Sequence, residues 1–228
     1  MARRRSDSPD PLFPDLLPAA LCDRRLELDA MHRHGGPVAG LDEAGRGPLA
    51  GPVVAAAVIF DGEPPKGLDD SKKLTAKARA ALFEEIIAGH HVAVACACAV
   101  RIDEINILAA SMEAMEKALA ALAARPAAAL VDGNRLPARL GIPAEAIVKG
   151  DSRSSVIAAA SIVAKVTRDR MMEKAALAYP GYGFESHKGY GSSKVHQEAL
   201  AELGPCALHR QSFAPVRAAL ERVSSRSG

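Results

Sequence analysis

An α/β fold, a mixed sheet flanked by helices with a helical C-terminal region, is the architecture this sequence predicts. Runs rich in Val, Ile and Ala at 37–41, 52–60 and 91–100 follow one another closely enough to pair as a meander. Past Arg101, helical and strand-like stretches alternate, which adds crossover connections to the same sheet. From Ser155 onward helical patterns dominate, at 155–179, 194–203 and 215–223. With 228 residues, 49% of them hydrophobic, one domain can bury a full core.

The elements follow in order. Residues 1–22 are rich in Pro, Asp and Arg, and Arg3-Arg4-Arg5 is followed by Ser, Asp and Pro instead of the apolar core of a signal peptide, so a mobile tail is expected. The domain then runs 23–223, with a short C-terminal tail at 224–228. A first helix is expected at 23–32, and Gly35-Gly36-Pro37 opens the first strand. Gly45, Gly47, Pro48 and Gly51 make a tight connection into the strand 52–60. Apolar spacing at Ala78, Leu82, Phe83 and Ile86 predicts a helix over 75–88. The strand 91–100 follows, then a long helix 105–124 ended by Pro126, and short strands at 127–131 and 146–149. The helix at 155–179 is Ala-rich first and charged later, so its early half should pack on the sheet.

Four acids stand where these strand-like runs stop: the adjacent Asp42 and Glu43, then Asp132, then Asp151. Carboxylates converging at strand ends suit a hard divalent cation, whose open coordination sphere can reach a phosphate. Singly, each acid has a plainer job: a solvated turn for the pair, a turn residue at Asp132, a helix cap at Asp151. Together they make a shared metal site the more economical account, and a metal-dependent phosphodiesterase the expected activity. Neighbouring side chains on a regular strand face opposite ways, so the strand is expected to end or bulge at Asp42-Glu43. Gly45-Arg46-Gly47 with Gly51 imitates a dinucleotide fingerprint, but a strand follows where that motif needs a helix.

Composition excludes little else. Formal net charge is +2, while 149–194 holds eight basic residues (149, 153, 165, 168, 170, 174, 188, 194) and four acidic ones (151, 169, 173, 185), so the positive field is expected there. Cys22, Cys96, Cys98 and Cys206 show no C-x-x-C spacing and are assigned no chemistry. No stretch is long and apolar enough to span a bilayer, and a soluble cytoplasmic protein is expected.

Four long motifs carry a resemblance: Asp42-Glu43-Ala44-Gly45-Arg46-Gly47-Pro48-Leu49-Ala50-Gly51-Pro52, Asp70-Ser71-Lys72-Lys73-Leu74, the stretch from Ala158 to Asp169, and Tyr182-Gly183-Phe184 with His187-Lys188-Gly189-Tyr190-Gly191. In order and over 38–216 they resemble bacterial ribonuclease HII, the type 2 ribonuclease H. The resemblance implies a ribonuclease H-like fold and endonucleolytic cleavage of RNA in RNA–DNA hybrids and at ribonucleotides embedded in duplex DNA. It implies two cations, Mn²⁺ or Mg²⁺, held by Asp42, Glu43, Asp132 and Asp151, products with 3′-hydroxyl and 5′-phosphate ends, and a part in ribonucleotide excision repair. Gly45, Arg46 and Gly47 take the place of its junction readers, and Tyr190 that of the tyrosine under the deoxyribose, with Tyr182 the alternative. Lys72, Lys73, Lys149, Lys165 and Lys188 are candidate phosphate contacts, and a monomer is expected. The exonuclease branch of the fold carries its two first-strand acids at alternate positions, whereas here they are adjacent. The type 3 enzyme has an extra N-terminal domain for which the residues before Val38 leave no room. A non-catalytic hybrid-binding module would not need four mutually repelling acids.

Overall fold

The computed structural model describes residues 22–226. Strands β1 (Val38–Ala44), β2 (Val53–Ile59) and β3 (His91–Ala97) form an antiparallel meander, and β4 (Ala128–Asp132) and β5 (Ala144–Ile147) extend it in parallel from β1. The order across the sheet is β3-β2-β1-β4-β5, so β1 is central. Helices α1 (Arg25–His34), α2 (Ala76–Gly89), α3 (Ala99–Ile105), α4 (Ile107–Ala120) and α5 (Ser155–Ala178) flank it, and α6 (Phe184–His187), α7 (Lys194–Leu203) and α8 (Ala214–Arg226) make the C-terminal region.

Alternation along β1 divides the core into two layers. Val38 and Ala44 pack with α5, whereas Ala39 and Leu41 pack with Ala114 and Met115 of α4. The α5 layer is very close. A Cβ on Gly40 would lie 2.3 Å from the carbonyl carbon and oxygen of Val156, so only glycine admits the helix at this depth. The first half of α5, Val156 to Ala160 and Ile162 to Ala164, is fully buried, as its Ala-rich composition predicts.

Several boundaries differ from expectation. The third strand stops at Ala97, and the single helix expected at 105–124 is two helices broken at Asn106. Asn106 has φ +66°, and its Oδ1 accepts from the Ala109 amide at 3.0 Å, capping α4. The C-terminal helix continues through residues 224–226, which were expected to be tail. Apart from Cys22, the N-terminal tail expected at 1–22 lies outside the described residues. All four cysteines are free thiols. Among the described residues no helix is long and apolar enough to cross a membrane.

Candidate active site

β1 does not end or bulge at the acidic pair. Asp42 pairs with Ala56 and Glu43 with Ala55 in regular antiparallel register up to Ala44. The two side chains therefore leave opposite faces of the strand, Asp42 toward α5. What brings them to one place is the neighbour: β4 runs parallel with Leu41 opposite Val131 and stops at Asp132. Glu43 thus projects beyond the end of β4, and both acids border the cleft that opens there. That cleft, about 570 Å³, is lined by Asp42, Glu43, Asp132 and Asp151, by the turn Gly45, Arg46 and Gly47, and by Lys72 and Tyr190.

The other two acids come from turns that hold each other. Asp132 Oδ1 accepts from the Gly150 amide at 2.7 Å, and the Gly133 amide donates to the Ile147 carbonyl at 3.0 Å. Asp151 sits in a single 3₁₀ turn, Gly150–Ser152, ahead of α5, whose N-cap position is Ser154. The simple helix-cap role is therefore not its role. On the α5 side, Ser161 hydrogen-bonds the Asp42 carboxylate, and its Oγ lies 3.0 Å from Ser71 Oγ. The Asp70–Leu74 motif thus reaches the cleft through Ser71 and Lys72.

The cleft is under electrostatic strain. Burial, then the charges of Glu43 and Asp132, push the Asp42 carboxyl well above the usual carboxylate range. Glu43 is raised by burial, against the lowering effect of Arg46, whose Nη1 lies 3.3 Å from Glu43 Oε1. Asp151 is raised by burial and then by Asp132 and Asp70. Among the described residues, Glu43 alone of the four has an ion-pair partner.

This donor set fits a hard divalent cation. It offers only carboxylate oxygens, two of the groups are buried, and their repulsion lacks a matching protein charge. Among the described residues no group of three or more His, Cys, Asp or Glu is gathered as a metal cage. An open arrangement suits Mg²⁺, which takes one or two carboxylates and completes its sphere with water and substrate phosphate.

Two arginines whose interior role the sequence does not reveal shape the glycine turn. Arg168 of α5 and Arg210 are 1% and 0% exposed, yet neither meets a carboxylate. Arg168 donates to the carbonyls of Pro52 at 3.0 Å and of Ala50 and Lys188 at 3.1 Å. Arg210 donates to the carbonyls of Gly45 at 2.6 Å, Arg46 at 2.9 Å and Gly51 at 3.0 Å. The planar fork of guanidinium is what lets one side chain gather several carbonyls of a folded loop. Gly45 has φ +100°, and a Cβ there would meet Arg168 Nε at 2.1 Å, whereas a Cβ on Gly47 would only touch Tyr190 Cε1 at 3.8 Å.

Tyr190 is 40% exposed at the cleft, with the Arg168 guanidinium carbon 5.8 Å from its ring centroid. Tyr182 is buried, and its hydroxyl donates to the Gly204 carbonyl at 2.7 Å. The lysines divide. Lys72 lines the cleft, as does Lys165, which is paired with Asp169 at 2.7 Å. Lys73, Lys149 and Lys188 do not line it: Lys73 is held by Asp69 at 2.9 Å, Lys188 by Glu173 at 2.9 Å, and Lys149 is exposed on the turn before Asp151. The positive field expected over 149–194 is partly offset: Arg168 is interior, Lys165 and Lys188 are half-buried in ion pairs, and Arg170 and Lys194 pair with acids at the surface.

Comparison with known proteins agrees with this fold. The family model for Ribonuclease HII matches residues 39–216. A Ribonuclease HII of Rhizobium meliloti (strain 1021) is 56% identical over 216 residues, spanning 94% of this chain and 98% of that protein. The crystal structure of ribonuclease H2 from Pyrococcus horikoshii OT3 superposes with a TM-score of 0.71 at 31% identity, covering 82% of this chain and 99% of the other. A structure of Bst-RNase HIII in complex with Mn²⁺ shares the fold, with a TM-score of 0.64 at 23% identity over 86% of this chain and 73% of that one.

Proposed function

This chain belongs to the ribonuclease HII family and is a ribonuclease H, and we propose that it cuts both the RNA strand of RNA–DNA hybrids and single ribonucleotides embedded in duplex DNA. The observation that carries the proposal is the cleft itself, where four carboxylates face a glycine turn and an exposed tyrosine across one space. Asp42, Glu43, Asp132 and Asp151 would hold two divalent cations, Mn²⁺ or Mg²⁺. Bound there, such cations supply water activation on one side of the phosphate and charge stabilisation at the leaving 3′ oxygen on the other.

The chain's own residues do the rest. Asp42 is fixed by the Glu43 amide at 2.7 Å and by Ser161, and Asp132 by the Gly150 amide, so the carboxylates are oriented before substrate arrives. Gly47 is exposed and lacks a side chain, so backbone can approach the ribose 2′-hydroxyl, the group that distinguishes RNA from DNA. Tyr190 offers an exposed ring for the neighbouring deoxyribose, and Lys72 an exposed ammonium for phosphate. Hydrolysis leaves 3′-hydroxyl and 5′-phosphate ends. A cytoplasmic monomer acting in ribonucleotide excision repair accompanies this reading.

The test is a labelled DNA duplex carrying one ribonucleotide, incubated with Mg²⁺, with Mn²⁺ and with chelator, and the cut mapped. Metal-dependent incision at the ribonucleotide is expected. Strong cleavage in excess chelator would contradict the metal reading, and cutting of hybrids alone would contradict the junction reading.

A further inference from the structure

Beyond the cleft, a file of buried rings runs from the C-terminal segment to the Tyr190 turn, and its hydrogen bonds can be followed atom by atom. The Cys206 amide donates to His209 Nδ1 at 3.0 Å, so the proton of neutral His209 is on Nε2. His209 Nε2 lies 3.0 Å from His196 Nε2, which must then accept, placing the His196 proton on Nδ1. His196 Nδ1 lies 3.1 Å from the Tyr190 carbonyl and donates to it. One assignment of neutral rings satisfies all three contacts, and it points every donor toward Tyr190.

The file is rigid. His196 is 0% and His209 2% exposed. His196 stacks on His187 with centroids 4.6 Å apart and meets Phe184 edge-on. His187 is itself fixed, accepting from the Gly189 amide at 3.1 Å and facing the Tyr182 carbonyl at 2.7 Å. The Tyr190 amide donates to the His187 carbonyl at 3.0 Å, so the backbone of Tyr190 is gripped on both sides by histidine residues while its ring stays exposed. Adjacent in sequence to His209 is Arg210, which binds the carbonyls of Gly45, Arg46 and Gly51. One dipeptide therefore ties the glycine turn and the Tyr190 turn to a single point.

We propose that His196 is a positioning residue: by donating from Nδ1 to the Tyr190 carbonyl, under orientation by His209, it sets where the Tyr190 ring stands at the cleft and so controls cleavage at embedded ribonucleotides. The proposal rests on the reading that Tyr190 packs against the deoxyribose beside the ribonucleotide. It assigns His196 no contact with substrate.

Two amides separate this role from general support of the fold. In His196→Asn the side-chain NH₂ stands near the position of Nδ1 and can still donate to Tyr190. In His196→Gln it reaches toward the position of Nε2, keeping a partner for His209 and losing Tyr190. Melting temperature, and kcat and KM on a duplex with one ribonucleotide and on a long RNA–DNA hybrid, are measured for both variants, alone and combined with Tyr190→Ala. His196→Gln is expected to lose about tenfold in junction cleavage, the scale of one hydrogen bond lost, with a much smaller loss on the hybrid. His196→Asn should keep most of the junction activity. In the Tyr190→Ala background neither change should add a further loss, because the effect has no ring left to act through. Equal losses in Asn and Gln, equal losses on both substrates, or additive losses with Tyr190→Ala would each overturn the role of His196. Normal junction cleavage by Tyr190→Ala alone would instead overturn the underlying reading of Tyr190.

Discussion

Gly45 and Gly47 are two residues apart in one turn, and replacing each by alanine should fail in different ways. At Gly45 the backbone has φ +100°, which costs an L residue about 1–2 kcal/mol. The added Cβ would also stand 2.1 Å from Arg168 Nε and 2.5 Å from its Cδ, with the Pro52 carbonyl oxygen at 2.8 Å on the backbone side. Arg168 cannot shift without loosening its bonds to Pro52, Ala50 and Lys188, and one charge-assisted hydrogen bond lost from a buried site costs about 1.5–3 kcal/mol. Gly45→Ala should therefore destabilise by about 3–5 kcal/mol, a fall in Tm of roughly 6–20 °C for a chain of this size. Gly47 is exposed, and its added Cβ would make only an ordinary contact with Tyr190, so Gly47→Ala should stay within about 0.5 kcal/mol of the wild type. Its methyl would nevertheless stand in the cleft, and cleavage at an embedded ribonucleotide should fall while the protein remains folded. Calorimetry and single-ribonucleotide cleavage on the same preparations decide the matter. A Gly45→Ala protein melting with the wild type would refute the arginine clamp, and a folded Gly47→Ala protein with undiminished junction cleavage would remove Gly47 from substrate reading.

Asp42→Asn should reduce turnover by at least about a hundredfold, since even outer-shell groups at metal sites are worth about ten- to a hundredfold. In metal-free buffer the same variant should melt higher than the wild type, because the amide can still accept from Glu43 and donate to Ser161 while a buried, repelled charge is gone; an unchanged or lower Tm would contradict the strained cluster. Mg²⁺ or Mn²⁺ should raise the wild-type Tm over the chelated sample and raise that of Asp42→Asn less, a readout that needs no turnover. Asp151→Asn should leave Tm nearly unchanged and slow catalysis, given that Ser154 occupies the N-cap position of α5; wild-type turnover in this variant would exclude Asp151 from the site. His209 is pushed down from 6.5 to about 4 by burial and then by His196, so the unfolded chain binds a proton that the native ring refuses. Its contribution is fully present above pH 6.5 and is lost as pH falls toward 4, by about 3 kcal/mol at most, and His209→Gln should flatten that limb of the Tm–pH curve.

The carboxylates and the glycine turn were legible because each lies in a short run whose neighbours reveal it: acids against apolar stretches, glycines between strands. The way Asp42 and Glu43 share a cleft was not legible. It depends on where β4 stops relative to β1, a register between strands some ninety residues apart, and not on a distortion of β1 itself. Arg168 and Arg210 were hidden for a related reason. An arginine in the charged half of a helix, like Arg168, or in a loop, like Arg210, looks like solvent-facing surface, and their partners here are carbonyls 118 and 165 residues away. Counting bases over 149–194 overstated the positive surface, since a count cannot separate an interior or ion-paired cation from a free one. The break at Asn106 did leave a signal, an asparagine directly before an apolar helical run, which is an N-cap pattern.

The two charge sets of this site have opposite consequences for stability. The carboxylates repel one another at the end of β1, so removing Asp42, the one most strongly raised, relieves the folded protein even as it removes a proposed cation ligand. The two arginines are also buried and also near each other, and burial, then the charge of Arg168, lowers the proton affinity of Arg210, yet removing either would strand the carbonyls it gathers. Lysine could not substitute, because a single ammonium cannot span the carbonyls of Gly45, Arg46 and Gly51 as the planar fork does. Loss of activity through the acids should therefore come with equal or higher Tm, and loss through the arginines with lower Tm. That difference in sign identifies which variants act on chemistry and which act on the turn that presents it.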